Sequence, residues 1–478
     1  MNSDDKLTHS YVFVKLWCLV DKRYNVPMSD KNIVDLKHSK VEIKGGGIVI
    51  ILDTGSTINP ESEAMLQALH SRSIGGLESH LKILAEKGAE NFMKNFYVGY
   101  GHKSIGDCGT VSIFVEGVSM LTAKAIQDWA LYSGQESSTR YIDFQIQPFK
   151  NPLGTKEGEE ILESYRSFYI EAMEPTVEYL KQQFPIGTDE KENIYNKAIN
   201  ARAFDILRGF LPAGSTTNLA WHTNLRQAAD KIALIRHHPL LEVRNTAVAI
   251  EEALLLAFPN SFGHKHYEAT ESYNEYWMKN DYYYHKADSL EFKLINNSVD
   301  TNLLQKETLS GRPPKTELPR HLAEAGNLQF EFLLDFGSFR DLQRHRAVTQ
   351  RMPLLTMDIG FENWYLDELP ETLKDKVKTF LKTQEDKVGA LETSKEERQY
   401  YVAMGYKISN RLTGSLPALV YLAELRATQF VHPTLRRKAK MLADTLSELF
   451  GKFGLVTHLD TEIDRFDIKR GEHDIVLK

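Results

Sequence analysis

The sequence predicts an α+β chain of two fused repeats, each a small, mostly antiparallel sheet packed with long helices, the two together forming a pseudo-dimer. Three observations lead there. The 478 residues exceed what one hydrophobic core usually holds. Residues 112–141 and 328–350 share one plan: an apolar strand, a glycine-containing turn with a serine, a helix, then a polar segment. Within it, Glu116-Gly-Val-Ser119 parallels Asp335-Phe-Gly-Ser338. Further on, Ala233-Leu-Ile-Arg236 followed by His238-Pro-Leu-Leu241 parallels Ala423-Glu-Leu-Arg426 followed by His432-Pro-Thr-Leu435. Ordered correspondences of this kind indicate a tandem duplication, with an extension at 1–46, a first repeat at 47–265, and a second repeat with a tail at 266–478.

Taken in order, residues 11–20 read as a short strand or helix within the extension. Gly45-Gly-Gly47 breaks the chain before 48–52, whose unbroken apolar run predicts a buried strand. The following Asp53-Thr-Gly-Ser56 carries the signature of aspartic proteases. That chemistry needs two carboxylates sharing a proton, and the nearest second copy, Asp335-Phe-Gly-Ser338, lacks the hydroxyl residue after the aspartate. A strand-to-turn connection is the simpler reading. Asn59-Pro60 suits a helix N-terminus, and helical spacing runs over 60–71 and 77–97. Long amphipathic patterns follow at 164–184 and 190–211, the second stopping at Pro212-Ala-Gly214, with a new helix expected from about Asn218. The pattern at 241–258 closes the first half. The second opens on an aromatic-dense stretch, 267–284, best explained by packing. A strand at 290–295, a loop at 310–314, a strand at 328–336 and a charged, solvated helix at 371–397 come next, before a peripheral tail from 450.

Composition narrows the function. Apolar content of 42% and charged content of 26% describe an ordinary globular protein. A net charge of -7 argues against a general nucleic-acid binder while leaving room for a local basic pocket. With only Cys18 and Cys108, neither a disulfide framework nor a cysteine-rich metal site is expected. No apolar run reaches membrane-spanning length and no signal-peptide pattern opens the chain, so a cytoplasmic protein with no metal is expected.

The densest chemistry lies at Arg344-His345-Arg346, after the second apolar strand. Arg340 and Arg344 fall at helical i, i+4 spacing, and paired guanidinium forks match the oxygens of a multiply charged anion. The bland alternative is a solvated basic turn.

Together with Gly101-His102-Lys-Ser104, Glu116-Gly-Val-Ser119, Gln135-Glu-Ser-Ser-Thr-Arg-Tyr141, Phe210-Leu-Pro212 and Trp221-His-Thr-Asn-Leu-Arg226, this stretch resembles the flavin-dependent thymidylate synthases over residues 47–455. In that family an Arg-His-Arg triplet is followed closely by a Ser-x-Arg-Tyr segment. Here the motif is divided. The first half reads Asp128-Trp129-Ala130 at the triplet but keeps Glu136, Ser138, Arg140 and Tyr141. The second keeps the triplet but reads Met352-Pro-Leu-Leu-Thr356 afterwards. The resemblance implies C5 methylation of dUMP, with methylenetetrahydrofolate giving the carbon and NADPH reducing FAD, and with no cysteine attack on the base. It implies FAD held by His102, Arg344, His345, Arg346 and Thr349, and nucleotide held by Glu136, Ser138, Thr139, Arg140 and Arg226, with Arg344 and Glu136 as the catalytic pair. One composite site per chain, in a homodimer of the fused chain, is the corresponding expectation. A pyrimidine-nucleotide or flavin binder without turnover, or an enzyme with another outcome such as hydroxymethylation, is the alternative.

Overall fold

Apolar residues at every second position build two sheets, and long amphipathic helices cover them. The computed structural model describes residues 38–52, 58–71, 76–99, 101–138, 144–286 and 291–460. These belong to one compact unit that begins at His38. The expectations for 11–20, for Asp53-Thr-Gly-Ser56, for Thr139 and Arg140, and for the tail beyond 460 lie outside the described residues.

The first sheet comprises β1 (His38–Glu42), β2 (Ile48–Leu52), β3 (Thr110–Ser119), β4 (Ser133–Glu136) and β5 (Thr216–Asn224), in the order β1-β2-β3-β5-β4, with every pairing antiparallel. After a two-residue strand β6 (Tyr283–Tyr284) come β7 (Phe292–Asn297), β8 (Asn327–Asp335), β9 (Thr349–Gln350), β10 (Met352–Pro353) and β11 (Lys407–Ser415). The second sheet runs β7-β8-β11-β9, again antiparallel, while β10 pairs with β6 in parallel. The chain is therefore α+β with antiparallel sheets.

Most expected elements are present. Asn59 caps the Pro60–His70 helix by accepting from the Ser62 N–H at 2.8 Å. The 77–97 pattern divides, because Gly88, at φ 65°, ends the Leu77–Lys87 helix before a π-helical turn at Met93–Gly99. The helix expected from Asn218 is instead strand β5. Leu219, Trp221 and Thr223 point inward at period two, and hydrogen bonding to β3 on one side and β4 on the other fixes the extended form. The helix expected to carry both Arg340 and Arg344 ends sooner, spanning Phe336–Leu342 and leaving Arg344 in the turn beyond it.

The same order of elements occurs twice. β3 runs into the Met120–Gln127 helix and β8 into the Phe336–Leu342 helix. Each half then has an edge strand (β4, β9), helices, a 3-10 turn (Arg208–Phe210, Gln399–Tyr401), a central strand (β5, β11) and two closing helices. Capping fixes the correspondence. Ser119 caps the first helix and donates to Glu242 at 2.5 Å; Asp335 caps the second and accepts from Thr434 at 2.5 Å. Ser119 and Asp335 thus hold like positions at the starts of their helices, whereas the sequence sets Glu116 against Asp335, three residues away. The halves meet through reciprocal backbone bonds: Ala213 N–H to Val402 O and Met404 N–H to Leu211 O, both 2.9 Å, and Gly214 N–H to Tyr400 O and Gly405 N–H to Gly209 O, at 2.9 and 2.7 Å. They also share a core, in which Phe168 of the Lys156–Gln183 helix stacks on Phe380 of the Glu371–Ala390 helix at 4.4 Å.

Candidate functional site

β4 brings Glu136 under the second half of the chain. Gly134 permits this approach, because a Cβ there would collide with the Ala220 carbonyl oxygen and the Tyr132 ring. The Glu136 carboxylate, 2% exposed, takes Lys124 Nζ on Oε2 and Arg340 Nη2 on Oε1, each at 2.6 Å, and accepts from Gln127 Nε2 at 2.9 Å. Lys124 comes from the first half and Arg340 from the second. Both lie five residues after their helix caps, at corresponding positions. Burial opposes ionisation of Glu136, but Arg340 and Lys124 outweigh it and hold the carboxyl well below the usual carboxylate range. Burial brings Lys124 down to about 8, with Glu136 working against that shift.

The Arg344-His345-Arg346 turn lies beside this group. Arg344 is about half exposed and sits 3.5 Å from Asp341. It is close enough to Lys124 and Tyr132 to bear on the charge of both. Arg346 lies over the Tyr132 ring, 5.0 Å from its centre, so the cation of the second half stacks on an aromatic of the first. Four cations, Lys124, Arg340, Arg344 and Arg346, therefore gather around the carboxylates Glu136 and Asp341. Arg340 Nε and Arg346 Nε are both buried without a hydrogen-bond partner. Orphaned guanidinium nitrogens in a cationic group suit an anionic ligand.

His345 departs from expectation. It is buried, its Nε2 accepts from Arg426 Nε at 2.7 Å, and burial together with Arg426 brings its pKa down to about 3. A neutral imidazole tied to Arg426 braces the turn instead of offering a charge. Thr349 stands exposed on edge strand β9, and Ser138 follows β4, half-buried. Arg226 is not brought to the group. Its guanidinium binds Asp107 at 2.7 Å and lies 3.5 Å from Asp230, in the first turn of the Leu225–Ile235 helix. Glu136 faces Leu219 in β5, so Arg226 lies beyond the far end of that strand, about 17 Å along it. His102 precedes the Lys103–Gly106 helix, which packs on the Leu225–Ile235 helix at that same far end. Cys108 is also there, its thiol pushed up by burial and by Asp107, which is the wrong direction for a nucleophile.

Lys124, Gly134 and Tyr132 were missed by sequence reasoning, and Arg340 was singled out only for its spacing from Arg344, not for its partner Glu136. The only available signal was their count from the caps, which requires the corrected correspondence. That count also places Met352, 17 residues after Asp335, where Glu136 stands after Ser119. Gln127 reaches Glu136, and Gln343 reaches the Met352 sulfur at 3.8 Å. The carboxylate is present on one side only.

Residues 57–260 match the model of the family described as thymidylate synthase complementing protein. The match covers much of the first half. The chain is also 24% identical over 414 residues to a UPF0159 protein of Chlamydia muridarum, covering 73% of this chain and 77% of that one. A UPF0159 protein of Chlamydia pneumoniae is 24% identical over 444 residues, covering 79% and 83%. One from Thermoplasma acidophilum is 23% identical over 451 residues, covering 79% and 90%. The chain is thus similar to that family over part of its length and to the UPF0159 proteins over most of it. Among the described residues, no helix is long and apolar enough to cross a membrane.

Proposed function

We propose that the chain is a cytoplasmic flavin-dependent thymidylate-synthase-like enzyme that methylates dUMP at C5, using methylenetetrahydrofolate, FAD and NADPH, at one composite site built from both halves. The observation carrying this reading is the meeting of Glu136 with Arg340 and the Arg344–Arg346 turn, which lie on opposite sides of the chain's internal correspondence. Arg344 and Arg346 hold the anionic groups of the bound molecules, and the unpaired Nε atoms of Arg340 and Arg346 add donors in a desolvated setting. FAD, when bound, supplies the redox chemistry. Thr349, exposed on edge strand β9, is assigned to the flavin. Ser138, which follows β4, is assigned to the nucleotide phosphate together with Thr139 and Arg140. The reciprocal bonds between 209–214 and 400–405 support a fused, diverged pair of repeats. His102 and Arg226 lie far from the cationic group, which favours a homodimer in which they face a partner's site.

A purified chain that carries FAD, and forms dTMP from dUMP when given the folate and NADPH, meets this proposal. A chain that binds no flavin overturns it. The full commitment of Glu136 to Lys124 and Arg340 favours a second reading, a nucleotide or flavin binder without turnover or with another product. Stoichiometric FAD and dUMP binding with no dTMP formed would select it.

A further inference from the structure

Lys124 and Arg340 occupy corresponding helix positions in the two halves, yet both reach the same carboxylate. Among the described residues, Glu136 is the one acid ion-paired with both cations, and Met352 stands at the position that the same count from Asp335 gives for a second. Each neighbour of this ion group leads to the Arg344–Arg346 turn. Arg340 is in the last turn of the helix from which the turn emerges, and Gln343, between them, donates to the Lys124 carbonyl at 3.1 Å. Gln350 then closes the turn from behind by donating to the Leu342 and His345 carbonyls, each at 3.2 Å. On the first-half side, β4 carries Glu136, and Tyr132 just before β4 lies under Arg346. A shift of β4 relative to the Phe336–Leu342 helix would therefore move the platform under Arg346 and the root of Arg344 together.

We propose that Lys124, Glu136 and Arg340 form a clasp between the halves whose task is positioning: it sets the Arg344–Arg346 turn for an anionic ligand, and Glu136 touches the cations instead of the ligand. This rests on the reading of Arg344 and Arg346 as ligand-holding residues. Ion triads of this kind contribute little net stability compared with apolar packing, and register is their best-attested use. Breaking one arm leaves Glu136 buried with a single cation, and the strand and helix then separate to admit water.

The test compares the intact chain with Arg340→Met, Arg340→Lys, Lys124→Met and the milder Glu136→Gln, which guards against a variant that does not fold. Amide hydrogen exchange is read without ligand, and FAD affinity is read by flavin fluorescence. Arg340→Met and Lys124→Met should each speed exchange about tenfold or more in peptides covering 131–138 and 342–350, leaving the Glu371–Ala390 helix unchanged. They should weaken FAD at least tenfold, and Arg340→Lys should restore most of both. Unchanged exchange at 342–350 overturns the clasp. So does a uniform rise across the chain, which marks a purely structural role, and so does FAD affinity that survives a local loosening. Local loosening in a chain whose wild type binds no FAD upholds the clasp and overturns the flavin reading instead.

Discussion

Arg344 and Arg346 differ in what holds them, and that difference predicts their behaviour. Arg346 is stacked on Tyr132 with its Nε buried, whereas Arg344 is half-exposed and loosely paired with Asp341. Each charge-assisted contact with a ligand contributes about 1.5–3 kcal/mol, so Arg344→Ala with Arg346→Ala should abolish FAD binding at micromolar concentration. Flavin retained one-to-one after desalting that double variant would refute the assignment. His345 makes a separate prediction. Its folded pKa is about 3 against 6.5 for the free side chain, so below pH 6.5 the unfolded state takes up a proton that the folded state refuses. The stability this residue contributes is complete above pH 6.5 and is lost as pH falls toward 3. His238 and His432, also buried and lowered, act with the same sign. In denaturant titrations His345→Gln should flatten the slope of stability against pH between 6.5 and 3 by up to one proton, about 1.4 kcal/mol per pH unit. An unchanged slope would mean that His345 takes up protons equally in both states.

At the scale of the element, β4 is the weak link. It has four residues, pairs on one side only, and depends on the bare backbone of Gly134 to lie against β5. Gly134→Ala should push it away and cost about 1–3 kcal/mol, in the range of other forced backbone shifts. Ligand affinity should fall further than the melting temperature suggests. A variant with normal affinity would show that Glu136 keeps its place without the strand. Elements of this kind also mark where the sequence was readable. Ile48–Leu52 and Pro60–His70 were legible because one apolar run and one Asn-Pro cap determine them locally. β5 was not, since its Thr, Asn and His alternate with buried residues and only its neighbours in the sheet decide between strand and helix. The Arg-His-Arg turn announced itself by charge density. Lys124 did not, and Arg340 showed only its spacing from Arg344, because an ion pair between residues 204 positions apart leaves no trace in local spacing.

The whole molecule is asymmetric where its two halves agree most closely. Glu136 has no acidic counterpart at Met352, and Asp128-Trp129-Ala130 stands where the second half has its cationic triplet. In the first half, Lys231 donates to the Asp128 carbonyl at 2.7 Å. Strand β6 then covers β10, pairing Tyr283 with Met352. A ligand there would meet protein already in place. Calorimetric titration should therefore find about one FAD and one dUMP per chain, and two of either would refute the composite site.

The reciprocal bonds at 209–214 and 400–405 have a consequence for how the chain is made. Leu211 and Ala213 hydrogen-bond to Met404 and Val402, residues that are synthesised some 190 positions later. At about 5–20 residues per second, the first half waits roughly 10–40 s on the ribosome before its partner segment exists. During that interval Phe168 and Phe210, whose aromatic neighbours Phe380 and Phe361 come from the second half, lack those partners. The nascent first half thus keeps two core aromatics without these partners until most of the chain has been made. A stop codon between 265 and 360 would release a fragment with Phe168 and Phe210 uncovered by Phe380 and Phe361, not a smaller working protein.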